Sequence, residues 1–245
     1  MVFTLLGVAV GSFLYVCIDR LPDWRSLISP PSRCPACQRR LAFGDLIPVV
    51  SYLLLRGRCR YCGAHIPGRL LWVELATGLL FGLLWWHYGS GVQLGVLTAY
   101  GCLFIIISVI DLEQGLILNK LVYPAVLITL ALVPFRPEIT IVDSLIGGGI
   151  GLVFHLLPVV IYQGGMGWGD VKLGALVGLA TGFPLVFVAL LIAVVSGGTI
   201  SIVLLALKLK KRSDTIPFGP FLCLGAMATL LWGSQISDWY FQLLS

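Results

Sequence analysis

Charge is what this sequence has least of. Only 11% of its 245 residues are Asp, Glu, Lys or Arg, where soluble domains carry about 25%. That shortage excludes an ordinary soluble domain. Internal repeats are absent, and so is any low-complexity tail, which excludes a repeat array and a disordered appendage. A basic leader is missing ahead of the first apolar segment, so Met1 to Ile18 reads as a first membrane span and not as a cleavable signal peptide. The net charge of +5 could hint at nucleic acid, but the placement of the charges argues against it.

What is present is apolar. Hydrophobic residues make up 58% of the chain, and the mean hydropathy is +1.00. Runs of about 18 or more such residues read as membrane-spanning helices. Eight candidate spans emerge, at roughly 2–18, 70–88, 92–110, 119–134, 141–161, 171–182, 184–207 and 217–241. Backbone groups in lipid must be satisfied internally, so helices are expected. The expected fold is therefore an all-α, polytopic membrane bundle, divided into a first span (1–18), a loop domain (19–69) and a membrane core (70–245). The sixth span is short and carries Gly174, Gly178 and Gly182, a spacing that permits close helix contact.

The basic residues orient this scheme. Of 16 Lys and Arg residues, 15 fall in or beside the odd-numbered connections, and Arg136 alone falls on the other side. By the positive-inside rule the odd connections are cytoplasmic and both termini lie outside.

The large connection, 19–69, contains Cys34-x-x-Cys37 and, 21 residues later, Cys59-x-x-Cys62. Paired knuckles of this kind place four thiolates around a tetrahedral Zn²⁺. Four protein ligands leave no position for a catalytic water, so the metal would be structural. A redox pair is the alternative, disfavoured in a reducing compartment. Cys17, Cys102 and Cys223 lie in apolar spans and read as packing residues.

Most acids have local explanations. Asp143 can cap the span it opens. Glu74 lies in the first turns of the second span, where a helix N-terminus favours negative charge; contact with substrate or cofactor is its alternative role. Two acids stand apart. Asp111 ends the run "GCLFIIISVID", and Asp170 follows four glycines, at 164, 165, 167 and 169. A charge near hydrocarbon is costly and commonly functional. In the topology above, both carboxylates lie at the cytoplasmic edge. If they meet, they hold one proton between them, and such a pair activates water for peptide hydrolysis. Gly164, Gly165, Gly167 and Gly169 would then adopt positive φ and let an extended peptide approach. Local roles, interfacial for Asp111 and N-capping for Asp170, are the structural alternative. A proton- or cation-coupled transporter is the other functional class. The shared depth near one face and the cysteine-rich loop speak against a carrier.

Six segments in order resemble the type IV prepilin peptidases: "GSFLYVCIDRLP", "SRCPACQRRLAFGDLIPVVSYLLLRGRCRYCG", "VELATGLLF", "IDLEQGLI", "GMGWGDVKL" and "IPFGPFL". The resemblance implies that Asp111 and Asp170 are the dyad of a GxGD-type aspartic peptidase. It implies prepilin or pseudopilin substrates of pili or type II secretion, cut on the cytoplasmic side of the bacterial inner membrane after a glycine. It implies N-methylation of the new terminus from S-adenosylmethionine, and zinc-type Cys34, Cys37, Cys59 and Cys62. Gly165, Gly167, Gly169 and Lys172 would position substrate. The chain departs from the family at Leu118, where proline is usual, and at Tyr15, where asparagine is usual. No glycine-rich S-adenosylmethionine fingerprint is present, so the methyltransferase expectation rests on resemblance alone.

Overall fold

The structure is a computed structural model. It describes residues 1–27, 31–161, 167–211 and 214–244, with side chains through Ile236 except that of Ser234. The chain forms two compact units, Met1–Ile106 and Ile107–Ser245.

The first unit contains α1 (Val2–Arg20), a 3₁₀ turn at Phe43–Leu46, the short α2 (Val50–Leu54), α3 (Arg69–Tyr88) and the first part of α4 (Val92–Gln114). Helices α1 and α3 pack directly on each other. Small residues four apart make this possible on both sides. A Cβ added to Gly11 would sit 2.8 Å from the Glu74 Cα, and one on Gly7 would sit 2.6 Å from the Phe81 Cβ. Gly78 and Gly82 of α3 receive Val8 and Thr4 in return. In lipid, where burying apolar surface drives little, such close backbone approach is the main source of helix association. Near the other end of the pair, Phe3 stacks on Trp85 with ring centroids 5.1 Å apart.

The second unit holds the end of α4, then α5 (Asn119–Leu132), α6 (Ile141–Ile161), α7 (Trp168–Thr181), α8 (Val186–Ala206) and α9 (Gly219–Leu244). Its densest seam joins α6 to α7. Gly147 and Gly151 of α6 face Gly178 and Gly174 of α7, so that an added Cβ on any of them would meet the partner's backbone. Ser144 Oγ donates to the Leu179 carbonyl at 2.7 Å across the same seam. Arg136 is buried, with only 7% exposed. It donates to the Ala180 carbonyl in the last turn of α7 and, at 3.0 Å, to Glu138. A cation at a helix C-terminus complements the backbone dipole. That contact accounts for the one basic residue that falls outside the charge pattern of the sequence. The cap of α6 is Thr140 and not Asp143: the Thr140 Oγ1 accepts the Asp143 amide at 3.1 Å, while Asp143, third in the helix, reaches back to accept the Thr140 hydroxyl at 2.6 Å.

The all-α expectation holds. Among the described residues five helices, α1, α3, α4, α6 and α8, are long and apolar enough to cross a membrane, and Asn119–Phe135 and Gly219–Gly233 are shorter apolar segments. Helix α7 has 14 residues. At 1.5 Å per residue it is about 21 Å long, short of the roughly 30 Å hydrocarbon core.

Candidate active site

Asp111 sits in the last turn of α4 with 5% of its surface exposed. A buried carboxylate needs donors. It finds one in the Gly219 amide, the first residue of α9, at 2.9 Å. The free amides of a helix N-terminus suit an anion there. A side chain at 219 would intrude, since its Cβ would lie 2.6 Å from Asp111 Oδ2.

Asp170 is the third residue of α7. Its Oδ2 accepts the Gly167 amide at 3.3 Å, so it closes the first turn from within and Gly167 takes the N-cap position. The structural alternative read from the sequence is thus half present: a local bond exists, but it is long, and Asp170 is not the cap. The carboxylate remains half-buried and lies within the electrostatic reach of Asp111. The two acids, 59 positions apart in the chain, both lie in the second unit.

The glycines differ from expectation. Gly167 has φ −82°, and Gly169 is not among the positive-φ glycines. A helix start needs ordinary φ values, and both residues open α7. What Gly169 provides is room, because an added Cβ would sit 2.9 Å from the Ile117 Cβ. Gly164 and Gly165 lie outside the described residues. Lys172 turns to α5, donating to Asn119 Oδ1 at 2.8 Å with its ammonium 5.5 Å from the Tyr123 ring centroid. Gly219 was not singled out in the sequence. Its signal was the "IPFGPFL" segment, whose chemistry only the long-range contact reveals.

The four loop cysteines come together. Their sulfurs all lie within 4.8 Å of one another, and Cys34 Sγ is 3.8 Å from Cys62 Sγ. Tetrahedral Zn–S bonds of ~2.3 Å require S···S separations of about 3.8 Å, so these residues fit a metal. All are free thiols. Two superposable turns hold them. Cys34 N bonds Arg39 O and Gln38 N bonds Cys34 O, while Cys59 N bonds Ala64 O and Gly63 N bonds Cys59 O. Arg33 bridges to Arg40, and Arg58 to His65. Gln38 and Gly63 both take positive φ, at 57° and 70°. Arg60, in the second turn, pairs with Asp45 of the 3₁₀ segment at 2.7 Å. A hydrogen bond from the Cys37 backbone is the main influence lowering the Cys34 thiol to about 7. At Cys62 the Ala64 backbone pulls down, but burial and the three other cysteines outweigh it and leave the thiol up at about 11. Four crowded thiols divide in this way until a cation lets all ionise.

Glu74 also differs from expectation. It lies in the second turn of α3, 2% exposed, and accepts the Val49 amide at 2.7 Å from the cysteine loop. It is not held by its own helix N-terminus.

Apolar helices bearing buried acids, with a four-thiol loop between the first two of them, define a multi-pass membrane protein. The family model "Bacterial Peptidase A24 N-terminal domain" matches residues 5–88, and "Type IV leader peptidase family" matches residues 97–202. The chain belongs to the type IV leader peptidase family and is an enzyme of the prepilin leader peptidase/N-methyltransferase kind. It is 35% identical to the Prepilin leader peptidase/N-methyltransferase of Stutzerimonas stutzeri, over 97% of this chain and 92% of the relative. Proteins of the same name from Pseudomonas aeruginosa and Bacillus subtilis are 34% and 30% identical, over 97% and 98% of this chain and 92% and 96% of the relatives. No solved structure matches it.

Proposed function

We propose that Asp111 and Asp170 are the catalytic dyad with which this enzyme removes the leader of type IV prepilins and pseudopilins. The observation that carries the reading is the buried Asp111 carboxylate, fixed by the Gly219 amide with Asp170 in its field. One carboxylate, ionised, takes a proton from water. The other, protonated, donates to the scissile carbonyl, and the roles reverse as the amine leaves. Cleavage follows a glycine on the cytoplasmic side, with the pilin's apolar helix beside the enzyme in the bacterial inner membrane. To Gly165, Gly167, Gly169 and Lys172 this reading assigns the positioning of the peptide.

In this reading all eight long helices belong to the membrane region, α7 being shielded by α6 rather than spanning alone, and both termini lie outside. The first span (1–18), the cytoplasmic loop (19–69) and the membrane core (70–245) are its working divisions. The four cysteines hold one Zn²⁺ that folds the loop and takes no part in proton transfer. S-adenosylmethionine, when bound, supplies an electrophilic methyl group for the new N-terminal amine. A cavity in the first unit, about 660 Å³ and lined by aromatic and charged side chains, has the size and mixed character of a cofactor site.

Co-expression with a prepilin tests the dyad. Asp111→Asn and Asp170→Asn should each abolish the gel shift of the mature pilin while leaving the enzyme in the membrane. Near wild-type processing by either variant would refute the assignment. Mass spectrometry of the pilin N-terminus reports cleavage and methylation separately.

A further inference from the structure

The proposed activities number two, and the acids serve only one of them. A methyl transfer needs a compartment for its donor, and no sequence fingerprint marks one. The first unit contains the 660 Å³ cavity, walled by α1, α3 and the cysteine loop, with Ser12, Tyr15, Tyr52, Arg69 and Glu74 on its surface.

Its charges are unevenly satisfied. Asp19 pairs with Arg69 at 3.4 Å and with Arg25 at 3.7 Å. Asp45 pairs with Arg60. Glu74, the most deeply buried of these acids, has only neutral donors among the described residues: the Val49 amide and the Ser12 hydroxyl. A buried carboxylate without a cation is costly, and its natural complement is a positive ligand. The Val49 amide is itself aimed at a price. Val49 takes φ 61° and ψ −53°, a region a β-branched residue rarely enters. Backbone strain of this kind clusters at ligand sites.

We propose that this cavity binds the methyl donor, a sulfonium nucleoside such as S-adenosylmethionine, with Glu74 facing the sulfonium charge. The assignment rests on the methyltransferase reading above and extends it to a place. The Tyr15 and Tyr52 rings give an adenine apolar faces to stack on. The Arg69 guanidinium, paired with Asp19, lies 5.2 Å from the Tyr15 ring centroid on the same wall. In the transfer, the lone pair of the pilin's terminal amine forms the new N–C bond and the C–S bond breaks. Its electron pair stays on sulfur, giving the neutral thioether S-adenosylhomocysteine, and the amine's proton leaves to water. The charge that Glu74 faces is therefore lost on reaction, which favours release of the product.

Binding to the full-length, metal-loaded protein in detergent provides the test, by titration calorimetry with S-adenosylmethionine and S-adenosylhomocysteine. Glu74→Gln keeps an acceptor for the Val49 amide and removes the charge. It should weaken S-adenosylmethionine about tenfold or more and S-adenosylhomocysteine distinctly less. Melting temperature and bound zinc report that the variant is folded. Photolabelling of the wild-type protein with an azidoadenosyl donor analogue, followed by peptide mapping, makes the result independent of any variant, and the label should fall within residues 12–74. Equal losses for the two ligands would overturn the pairing with sulfonium. Label confined to residues 107–245 would overturn the site while leaving the methyltransferase reading intact. Failure of the wild-type protein to bind either ligand would overturn both.

Discussion

Gly219 governs where Asp111 can be. Its amide holds the carboxylate, and its missing Cβ leaves room for Oδ2. Gly219→Ala should therefore lower kcat for prepilin cleavage about a hundredfold, the usual scale for displacing a reacting group by about 1 Å, with little change in KM. Steady-state assays of the purified variant would read that split. Asp170→Glu should fail more completely, because the longer arm carries the carboxyl past its working position while Gly167 still caps α7. An active Asp170→Glu enzyme in a prepilin cleavage assay would show that the site tolerates a mobile acid. At this scale the sequence was informative about the acids and mute about their partners. Asp111 and Asp170 are legible because charge is scarce and apolar runs surround them. The Gly219 contact spans 108 positions, and the bond from Val49 to Glu74 joins a loop to a helix. Neither leaves a local trace in residue type or spacing.

Helices declare themselves by apolar length, and here the eight segments read from the sequence coincide with eight helices to within a few residues at their ends. Helix α7 starts at Trp168 rather than 171, because Gly167 serves as cap and Asp170 closes the turn, a local exchange that hydropathy does not register. Its partnership with α6 is steric. Gly178→Leu should drive the two backbones apart and cost about 3 kcal/mol or more, the upper range for overpacking. Gly149, whose added Cβ would meet nothing within 4 Å, should accept leucine with little change, and thermal melting of both variants in detergent makes the comparison. The two cysteine turns invite a parallel experiment. Gln38 occupies the left-handed position that glycine fills at 63. Gly63→Val should loosen zinc by about 1–2 kcal/mol of backbone strain, whereas Gln38→Gly should be tolerated, as chelator competition would measure.

Across the whole molecule, the two family models part the chain between 88 and 97, before α4 is well begun, whereas the compact units divide within α4, after Ile106. Composition could suggest a membrane protein and a cysteine loop, but not that Asp111 and Glu74, two deeply buried acids, fall in different units. Among the described residues of the loop, Cys34 and Cys59 are the apolar side chains that are buried, while Phe43, Leu53 and Leu54 are exposed. Its order should therefore depend on metal. Stripping zinc with a strong chelator should expose residues 33–66 to protease within minutes while helices α6 to α8 stay protected, a pattern that mass mapping of the fragments would reveal.

The glycine seam between α6 and α7 has a kinematic meaning. Where main chain rests on main chain there are no rotamers to exchange and no clearance to take up. The pair can travel only as a single rod, bolted at the far end by Arg136. If the acids open to admit a peptide and close to cut it, the hinge has to lie on the other wall, where a single amide at the tip of α9 grips Asp111 and can let it go.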